Sequence, residues 1–560
     1  MLSTMQDVPL TVGRILAHGS TIHGRSTVTT WDGQKAVPRS FAEVGARAAQ
    51  LAHALRDELG VTGDQRVATL MWNNTEHQEA YLAIPSMGAV LHTLNLRLPP
   101  QQLAFIINHA ADHTILVNSS LLPLLAPLLP QLRPTLRHIV LVGDAGDAAA
   151  AQLDGFAGTV HHYEELIADR PTSFPFPMDL DERSAAALCY TSGTTGDPKG
   201  VAYSHRSMYL HCMQVVSAES FAFTDADLIL PVVPMFHVNA WGIPYAAFMV
   251  GASLLMPDRY LQPQPLATMI TAERPTFSAA VPTIWTGLLG ELDANPGRYD
   301  VSTLRRVVIG GSACPPSLMK AFEERHGITL IHAWGMTETS PLGSVSLPPG
   351  GLSAEEAWPY RLTQGRFPAS VQVRVIGPDG TPMPHDGSSA GEIEVRGPWI
   401  AAAYYGGAGN PPELGEKFSP DGWLRTGDVG TVSEDGYLTL TDRSKDVIKS
   451  GGEWISSVEL ENELMAHPDV LEAAVVAVPD ERWGERPLAT VVLRPGAQAG
   501  FAELRAFLAG RIAHWQLPER WSVVESVPKT SVGKFDKKVI RREYAEGALD
   551  VTVLGKDTTA

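Results

Sequence analysis

The pattern of apolar and polar positions alternates between helical and strand periods over much of the chain. Ser40 and Glu43 have the spacing of a helix-capping box, and apolar residues then recur at helical spacing over 44–59. Further on, a β-branched strand ends at Ile309, a Gly-Gly-Ser turn follows it, and two prolines open a helix at Pro316. Such alternation of helix and strand predicts parallel sheets covered by helices.

One thirty-residue segment, 228–257, contains no formally charged side chain. About 20 apolar residues suffice to span a bilayer. However, three prolines interrupt this segment, and His237 and Asn239 would lie in mid-bilayer. We therefore predict a buried strand, a loop, a buried helix and a second strand instead of a membrane span. The apolar stretch is expected to form one wall of an apolar pocket.

The pattern changes after Gly391 to short alternating strands and turns, which predicts a small β-rich subdomain. From about Lys445 a compact α+β unit follows, in which Ser456 and Glu459 open a helix. The last residues have little to bury, which predicts a frayed tail. The predicted fold is α/β, with a large N-terminal domain of parallel-sheet subdomains, the small β-rich subdomain and a small α+β C-terminal domain.

Charge and cysteine content narrow the partners and the compartment. The chain of 560 residues has 61 acidic and 43 basic side chains, a formal net charge of −18, so we expect no nucleic-acid partner. Cys189, Cys212 and Cys314 are too far apart for a CxxC metal site and too few for a disulfide framework. The first residues do not resemble a secretion signal, so we expect a cytoplasmic protein.

The strongest local motif is the segment 190–200, with the sequence YTSGTTGDPKG. Its serine and threonines supply hydroxyl donors, its glycines let a backbone approach closely, and Lys199 adds a positive charge, which together are the parts of an anion-binding turn. It is not a Walker A loop, because Pro198 stands where that motif requires glycine. The motif therefore predicts a phosphate-binding turn outside the P-loop class.

Four further motifs follow it in order: HAWGMTETS (332–340), GWLRTGD (422–428), DRSKDVIKSGGEWISSVELE (442–461) and PKTSVGKFDKK (528–538). Together the five resemble the signature motifs of the adenylate-forming superfamily, which includes acyl-CoA synthetases, firefly luciferase and nonribosomal peptide adenylation domains. Within the family, VPMFHVNAWGIPYAA (233–247) and SGGEWISSVELEN most resemble medium- and long-chain fatty acyl-CoA synthetases.

The resemblance implies an AMP-forming acid–thiol ligase that uses ATP, Mg²⁺ and CoA. A medium- or long-chain fatty acid would react with ATP to an acyl-adenylate and pyrophosphate, and CoA would then displace AMP. The same chemistry on a short thioether acid such as methylmercaptopropionate, or on an aryl acid, stays open, and dicarboxylates rank last. A non-catalytic nucleotide- or lipid-binding scaffold is a further alternative. Related long-chain synthetases are often homodimers, which makes a homodimer an expectation here.

The resemblance also implies roles for single residues. Lys534 would bridge the carboxylate and the α-phosphate, Glu338 and Thr194 would hold Mg²⁺, and His237 would lie near the carboxylate. Trp241 is expected either to gate a fatty-acid tunnel or to be a core residue. The residues expected to bind ATP or AMP are Thr191, Ser192, Gly193, Thr195, Lys199, Gly311, Trp334, Gly335, Thr337, Asp428 and Arg443.

The family alternates between its two half-reactions by rotating a small C-terminal domain. By resemblance, residues 1–442 form the adenylation domain, 443–445 the hinge region with Lys445 as the hinge, and 446–560 the mobile domain that carries Lys534. Rotation would withdraw Lys534 and bring a glycine motif to the acyl-adenylate. The residues expected to serve this second step are Lys449, Gly451, Gly452, Glu453, Trp454 and Glu485. No carrier-protein domain follows Lys534, which disfavours a peptide-synthetase module.

Overall fold

The computed structural model describes residues 1, 3–144, 151–191, 197–377, 379–443, 445–450, 453–530 and 534–554. In chain order, its strands are β1 Thr27–Trp31, β2 Ala36–Ser40, β3 Arg66–Leu70, β4 Val90–Thr93, β5 Thr114–Asn118, β6 His138–Val142, β7 Thr159–His162, β8 Ala185–Tyr190, β9 Gly200–Ser204, β10 Leu228–Pro231, β11 Ser253–Met256, β12 Phe277–Ala280, β13 Arg306–Ile309, β14 Thr329–Gly335, β15 Leu342–Val345, β16 Gly365–Arg366, β17 Gln372–Ile376, β18 Pro382–Met383, β19 Gly391–Arg396, β20 Leu424–Val432, β21 Tyr437–Arg443, β22 Ile448–Ser450, β23 Glu453–Ile455, β24 Val470–Asp480, β25 Gly484–Leu493, β26 Arg520–Val523 and β27 Thr552–Val553.

The α-helices of the described residues are Val12–Ile22, Phe41–Asp57, Thr75–Ser86, Pro100–Ala110, Leu122–Leu125, Tyr163–Ile167, His205–Val216, Ile243–Val250, Pro263–Glu273, Pro282–Ala294, Pro316–His326, Ala354–Leu362, Ser457–Met465, Phe501–Ala509 and Lys537–Ala545. Short 3₁₀ turns lie at Ser119–Leu121, Ala126–Gln131, Ala151–Leu153, Thr337–Thr339 and His514–Gln516. The capping box predicted at the second helix is present, because the Ser40 hydroxyl accepts from the Glu43 backbone N–H and the Glu43 carboxylate accepts from the Ser40 backbone N–H.

The first sheet has seven strands in the order β7-β6-β5-β3-β4-β8-β9. Its neighbours run parallel up to β8, and only the β8–β9 pair is antiparallel. Strands β4 and β5 are buried along their whole length, as expected for parallel strands covered on both faces. The helix Thr75–Ser86, buried at every position except Glu76, packs against β3, β4 and β8.

The second sheet joins a parallel half to an antiparallel half at β14. Strands β1 and β10 to β14 pair in parallel, and β14 then pairs antiparallel with β15. From β15 the sheet continues through β16, β21, β20, β19, β17 and β18, all in antiparallel pairs. The β-rich subdomain predicted after Gly391 corresponds to strands β19 to β21.

The third sheet belongs to the C-terminal part and contains β22 to β27. Its long hairpin of β24 and β25 buries one face, with Val475 and Val491, against the helices Ser457–Met465 and Phe501–Ala509. The predicted fold class is confirmed. The prediction of a frayed tail is wrong for β27, which pairs with β26 while Leu549 and Leu554 pack on the core.

The uncharged segment 228–257 forms the predicted succession of strand β10, loop, helix Ile243–Val250 and strand β11. Within the described residues, no helix is long and apolar enough to cross a membrane. One feature was not predicted: Val238, Asn239, Ala240 and Trp241 form a left-handed turn, with φ of 48°, 50°, 47° and 58°. Left-handed backbone costs an L-residue about 1–2 kcal/mol. The surrounding packing must therefore impose this turn.

Candidate active site

A cavity of about 1160 Å³ opens where the parallel strands β8, β13 and β14 end. In open α/β sheets, ligands bind at the carboxyl ends of the strands, because the loops that follow the strands converge there. The C-terminal part closes the other side of this cavity with residues on either side of Phe535. The cavity is therefore bounded by loops of the large N-terminal part and, in the small C-terminal part, by residues around Lys534, the helices Ser457–Met465 and Lys537–Ala545 and the start of β24.

The phosphate-binding turn begins and ends at this cavity. The Thr191 backbone N–H donates to the Lys199 carbonyl at 2.9 Å, and the Lys199 backbone N–H donates to the Thr191 hydroxyl at 3.0 Å. The Lys199 ammonium lies 3.3 Å from the carboxylate of Glu413. The predicted residues Ser192, Gly193, Thr194 and Thr195 lie outside the described residues.

Two turns bring backbone close to the cavity. Gly311 has φ of +87°, a conformation that favours glycine, and a β-carbon there would lie 3.6 Å from Cε of Lys534. At Gly335 a β-carbon would come within 1.8 Å of the Pro341 carbonyl oxygen, so only glycine fits. Both glycines line the cavity beside Trp334.

A buried tryptophan, a carboxylate and an arginine meet at one wall. Trp334 Nε1 donates to Asp428 Oδ2 at 2.8 Å, and Arg443 Nε lies 3.3 Å from Asp428 Oδ1. Asp428 and Arg443 are paired neighbours on β20 and β21, which fixes their backbones against each other. Asp428 can accept hydrogen bonds from two hydroxyl groups, and Arg443 can donate to oxygen atoms.

Glu338 is a carboxylate whose side chain is only 4% exposed, and it faces the cavity from the 3₁₀ turn Thr337–Thr339. The Tyr404 hydroxyl donates to Glu338 Oε1 at 2.5 Å, and the Lys417 ammonium lies 3.7 Å from the same oxygen. The neighbouring Thr337 carbonyl accepts from the Tyr203 hydroxyl at 2.6 Å. The turn that presents Glu338 is thus held by two tyrosines from other segments.

Lys534 reaches the same cavity from the C-terminal part. Burial, with a further contribution from the nearby charge of Arg443, lowers its pKa to about 8. The loop is closed locally, since Thr530 N–H donates to the Lys534 carbonyl at 2.7 Å and Lys534 N–H donates to the Thr530 hydroxyl at 3.2 Å. An ammonium group thus lies beside Gly311 in a partly desolvated position.

His237 precedes the left-handed turn, Trp241 is its last residue, and both line the cavity. Burial, and then the charge of Lys534, lowers the pKa of His237 to about 3, so its imidazole is neutral near pH 7. Trp241 is 9% exposed, and a β-carbon at Gly310 would lie 3.2 Å from its Cη2 atom. A second, mostly apolar cavity of about 60 Å³ lies beside both residues, with Val232, Val233 and other residues of the uncharged segment on its wall.

The predicted hinge residue lines the cavity, whereas Lys449 and Glu485, predicted to serve the second step, do not. Lys445 lines the cavity, and its carbonyl accepts from Arg541 at 3.5 Å. The Lys449 backbone N–H donates to the Glu485 carboxylate at 2.7 Å, and neither residue is among the described residues that line the cavity. Glu453 and Trp454 belong to strand β23, which pairs with β22. Gly451 and Gly452 lie outside the described residues.

The structure therefore brings a large share of the predicted residues to one cavity. These are Thr191, Lys199, His237, Trp241, Gly311, Trp334, Gly335, Thr337, Glu338, Asp428, Arg443, Lys445 and Lys534. Sequence reasoning missed Tyr404, Glu413 and Lys417, which lie in a stretch between two motifs. No local signal marked them, because their partners are more than 60 positions away in the chain.

Comparison with known proteins identifies relatives across nearly the whole chain. The chain is 42% identical to a 3-methylmercaptopropionyl-CoA ligase of Ruegeria pomeroyi over 98% of this chain and 99% of that protein. It is 41% identical to a medium-chain-fatty-acid–CoA ligase of Ectopseudomonas oleovorans, covering 98% of each. It is 43% identical to a long-chain-fatty-acid–CoA ligase of Thermus thermophilus, covering 97% of each.

Among solved structures, the anthranilate CoA ligase AuaEII in complex with anthranoyl-AMP is similar in fold. Its TM-score is 0.85 at 25% identity, over 97% of this chain and 100% of that one. The prediction of an AMP-forming acyl-CoA ligase is confirmed, and both the fatty-acid prediction and the thioether-acid alternative fit the named relatives.

Two family models account for most of the length. The model described as AMP-binding enzyme matches residues 22–405, and the model described as AMP-binding enzyme C-terminal domain matches residues 459–534. The predicted superfamily is thereby confirmed. With its motifs in family order around one cavity and relatives above 40% identity along its length, this chain belongs to the AMP-binding, adenylate-forming enzymes.

Proposed function

We propose that this protein joins a medium- or long-chain fatty acid to CoA in two steps through an acyl-adenylate. The observation that carries the proposal is the convergence of Lys534, Glu338 and the Asp428–Arg443 pair on one cavity. These residues come from three distant stretches of the chain, because Asp428 and Arg443 lie on the paired strands β20 and β21. A site for acid activation needs cations, a metal-binding carboxylate and a ribose acceptor together, and these residues supply them.

In the first step, a carboxylate oxygen attacks the α-phosphorus of ATP and pyrophosphate leaves. Both reactants are anions, so the site must offset their repulsion. Lys534 is the cation that we assign to the carboxylate and the α-phosphate. Asp428 accepts from the ribose hydroxyls, and Lys199 binds phosphate oxygens together with the hydroxyl-rich turn before it. His237 stays neutral beside Lys534, so it adds no second positive charge next to the ammonium group.

Glu338 fits a magnesium ion as one protein ligand. Its carboxylate is nearly buried and faces the cavity, and Tyr404 and Lys417 both contact its Oε1 atom. Among the described residues, no group of three or more His, Cys, Asp or Glu could hold a metal ion by itself. Mg²⁺ typically binds through one or two carboxylates plus substrate phosphates, so a single carboxylate suffices here. When bound, Mg²⁺ would neutralise phosphate charge; Thr194 is the second proposed ligand.

In the second step, the CoA thiol attacks the acyl carbon and AMP leaves. Lys449 and Glu485 lie outside the cavity while Lys534 lies inside it, which supports a rotation of residues 446–560 about Lys445 between the two steps. The proposed end of the adenylation domain at residue 442 lies one residue before the end of β21, and the next strand, β22, belongs to the other sheet. Gly451, Gly452, Glu453 and Trp454 would then approach the acyl-adenylate.

A fatty acid is the first candidate for the acid because apolar side chains line the wall near Trp241. Val232, Val233, Phe236 and Ile284 line the small cavity beside it, and Arg97 and Lys534 are also on its wall. A short thioether acid is the second candidate, since a 3-methylmercaptopropionyl-CoA ligase is as similar as the two fatty-acid ligases. A cytoplasmic location and a homodimer complete the proposal; three buried free cysteines support a reducing compartment.

The test is AMP release by the purified protein with ATP, Mg²⁺ and CoA, across saturated acids from C2 to C18, methylmercaptopropionate and benzoate. A single maximum between C6 and C18 is the expected result. A maximum at methylmercaptopropionate or benzoate would replace the proposed acid and keep the chemistry. Absence of turnover with every acid would overturn the enzymatic proposal and favour a nucleotide- or lipid-binding scaffold.

A further inference from the structure

The segment 404–418, which we term the 404–418 loop, borders the phosphate end of the cavity and belongs to none of the sequence motifs. The start of the loop is hydrogen-bonded to the end of the phosphate-binding turn, because the Tyr405 backbone N–H donates to the Gly200 carbonyl at 2.7 Å. Two backbone hydrogen bonds join the two sides of the loop. The Tyr404 N–H donates to the Glu413 carbonyl at 2.8 Å, and the Glu413 N–H donates to the Tyr404 carbonyl at 2.9 Å. The loop is therefore fixed beside the site.

Two charged side chains of the loop pair with two charged side chains of the motifs. Glu413 lies 3.3 Å from Lys199, and Lys417 lies 3.7 Å from Glu338. The loop thus offers a negative charge to the phosphate-binding lysine and a positive charge to the proposed metal-binding carboxylate. All four side chains line the same cavity. In this arrangement the opposite charges compensate one another in two pairs.

Entry of Mg²⁺ and ATP changes the partners of these charges. Glu338 acts as a metal ligand in the proposed function, and a divalent cation on Glu338 repels a lysine ammonium less than 4 Å away. The Lys417 ammonium then needs another negatively charged partner, and the phosphates of ATP would bind next to it. Its contact with Glu338 is longer than a hydrogen bond, and its side chain is 43% exposed, so little opposes the move.

The Lys417 backbone is held while its side chain is able to move. The Lys417 carbonyl accepts from Arg425 N–H at 2.8 Å, and Phe418 pairs with Leu424 while its ring packs edge-on against Tyr404. A fixed backbone and a long, partly exposed side chain would let the Lys417 ammonium contact phosphate oxygens.

We propose that Lys417 is a further nucleotide-binding residue, which leaves Glu338 and binds the β- and γ-phosphates of ATP and the released pyrophosphate. This inference rests on the proposed ATP-dependent function. It assigns Lys417 to the phosphates that leave, whereas Lys534 acts at the α-phosphate that stays on the acyl-adenylate. Affinity for ATP and pyrophosphate should therefore depend on Lys417, and affinity for AMP should not.

The test compares dissociation constants of ATP, pyrophosphate and AMP by calorimetry, with Mg²⁺ present and without acid or CoA, so that no turnover is needed. Lys417→Met removes the charge at similar length, Lys417→Arg keeps a charge, and Lys320→Met is the matched control on the helix Pro316–His326, away from the cavity. We expect Lys417→Met to weaken ATP and pyrophosphate binding about 10-fold, the effect of one charged hydrogen bond, with AMP binding unchanged. Lys417→Arg should restore most of the affinity.

Equal weakening of ATP and AMP by Lys417→Met would overturn the inference, because Lys417 would then only support the shape of the site. Unchanged binding of all three ligands would overturn it as well. Lys417→Gln is a second neutral variant should Lys417→Met fail to fold, and its two outcomes are interpreted in the same way. Lys417-dependent ATP binding in a protein that activates no acid would overturn the proposed function and leave this inference standing.

Discussion

Trp334 Nε1 donates a 2.8 Å hydrogen bond to Oδ2 of Asp428, although the two residues are 94 positions apart in the chain. Trp334 lies near the end of β14, where it already pairs antiparallel with Ser344, and Asp428 lies on β20 of the antiparallel half. The bond fixes the orientation of a carboxylate whose other oxygen faces Arg443 at 3.3 Å. The geometry of the cavity at the end where we propose that the nucleotide binds therefore depends on the joint between the two halves of the sheet.

Asp428→Asn should weaken the binding of both ATP and AMP by about 10- to 100-fold, because it removes charged hydrogen bonds to the ribose and leaves Arg443 without its partner. Trp334→Phe should have a smaller effect in the same direction. Calorimetric titration with both nucleotides measures this, with the exposed Asp225→Asn as the control. AMP affinity that survives in Asp428→Asn would contradict the ribose assignment.

Lys534→Ala should lower acyl-AMP formation by about 10²–10³-fold, the cost of removing one group that stabilises the transition state. Transfer from preformed acyl-AMP to CoA should be largely intact, because Lys534 is expected to leave the site before that step. Pyrophosphate exchange and single-turnover thioester formation measure the two steps separately. Lys320→Ala serves as the control, and equal loss of both steps would count against the assigned role.

The rate of adenylation should fall with rising pH above about 8. Lys534 must be protonated to stabilise the anionic transition state, and its pKa in the free protein is lowered to about 8, so the cation is present below that pH and lost above it. The profile of kcat/KM for ATP reports this free-enzyme group. Lys534→Arg should remove the decline, since guanidinium stays charged; a decline that persists in this variant would assign it to another group.

Lys445→Pro should uncouple the two half-reactions. Proline fixes φ, and a hinge works through changes in the backbone dihedral angles of a few residues. We expect acyl-AMP formation to continue while thioester formation from acyl-AMP falls by about 100-fold, the cost of reacting groups that cannot reach their positions. Lys445→Ala should retain both steps. Normal thioester formation in Lys445→Pro would place the hinge elsewhere.

Trp241→Ala should shift the chain-length profile toward longer or bulkier acids if Trp241 closes the acyl pocket. The profile of AMP release across acids and the thermal unfolding midpoint are measured together. Trp285→Phe, at a fully buried position of the core, is the control that should lower stability without moving the profile. A loss of about 3–5 kcal/mol in stability with an unchanged profile would show that Trp241 is a core residue.

Local periodicity and motif chemistry were enough for much of the fold and of the site. The capping box at Ser40, the strand that ends at Ile309 and the helix that opens at Pro316 all depend on neighbours within a few positions. The motif residues Glu338 and Lys534 could be singled out because their types and spacings resemble the family pattern.

The sequence by itself determined the fold class, the family and the residues within motifs, because periodicity, caps and turn chemistry act between residues close in the chain. Only the tertiary structure decided which charges meet: Glu413 reaches Lys199 across 214 positions, and Lys417 reaches Glu338 from a stretch without a motif. It also decided the left-handed turn before Gly242, which no local preference favours. Such features follow from packing between distant segments, whose mutual positions a one-dimensional pattern does not contain.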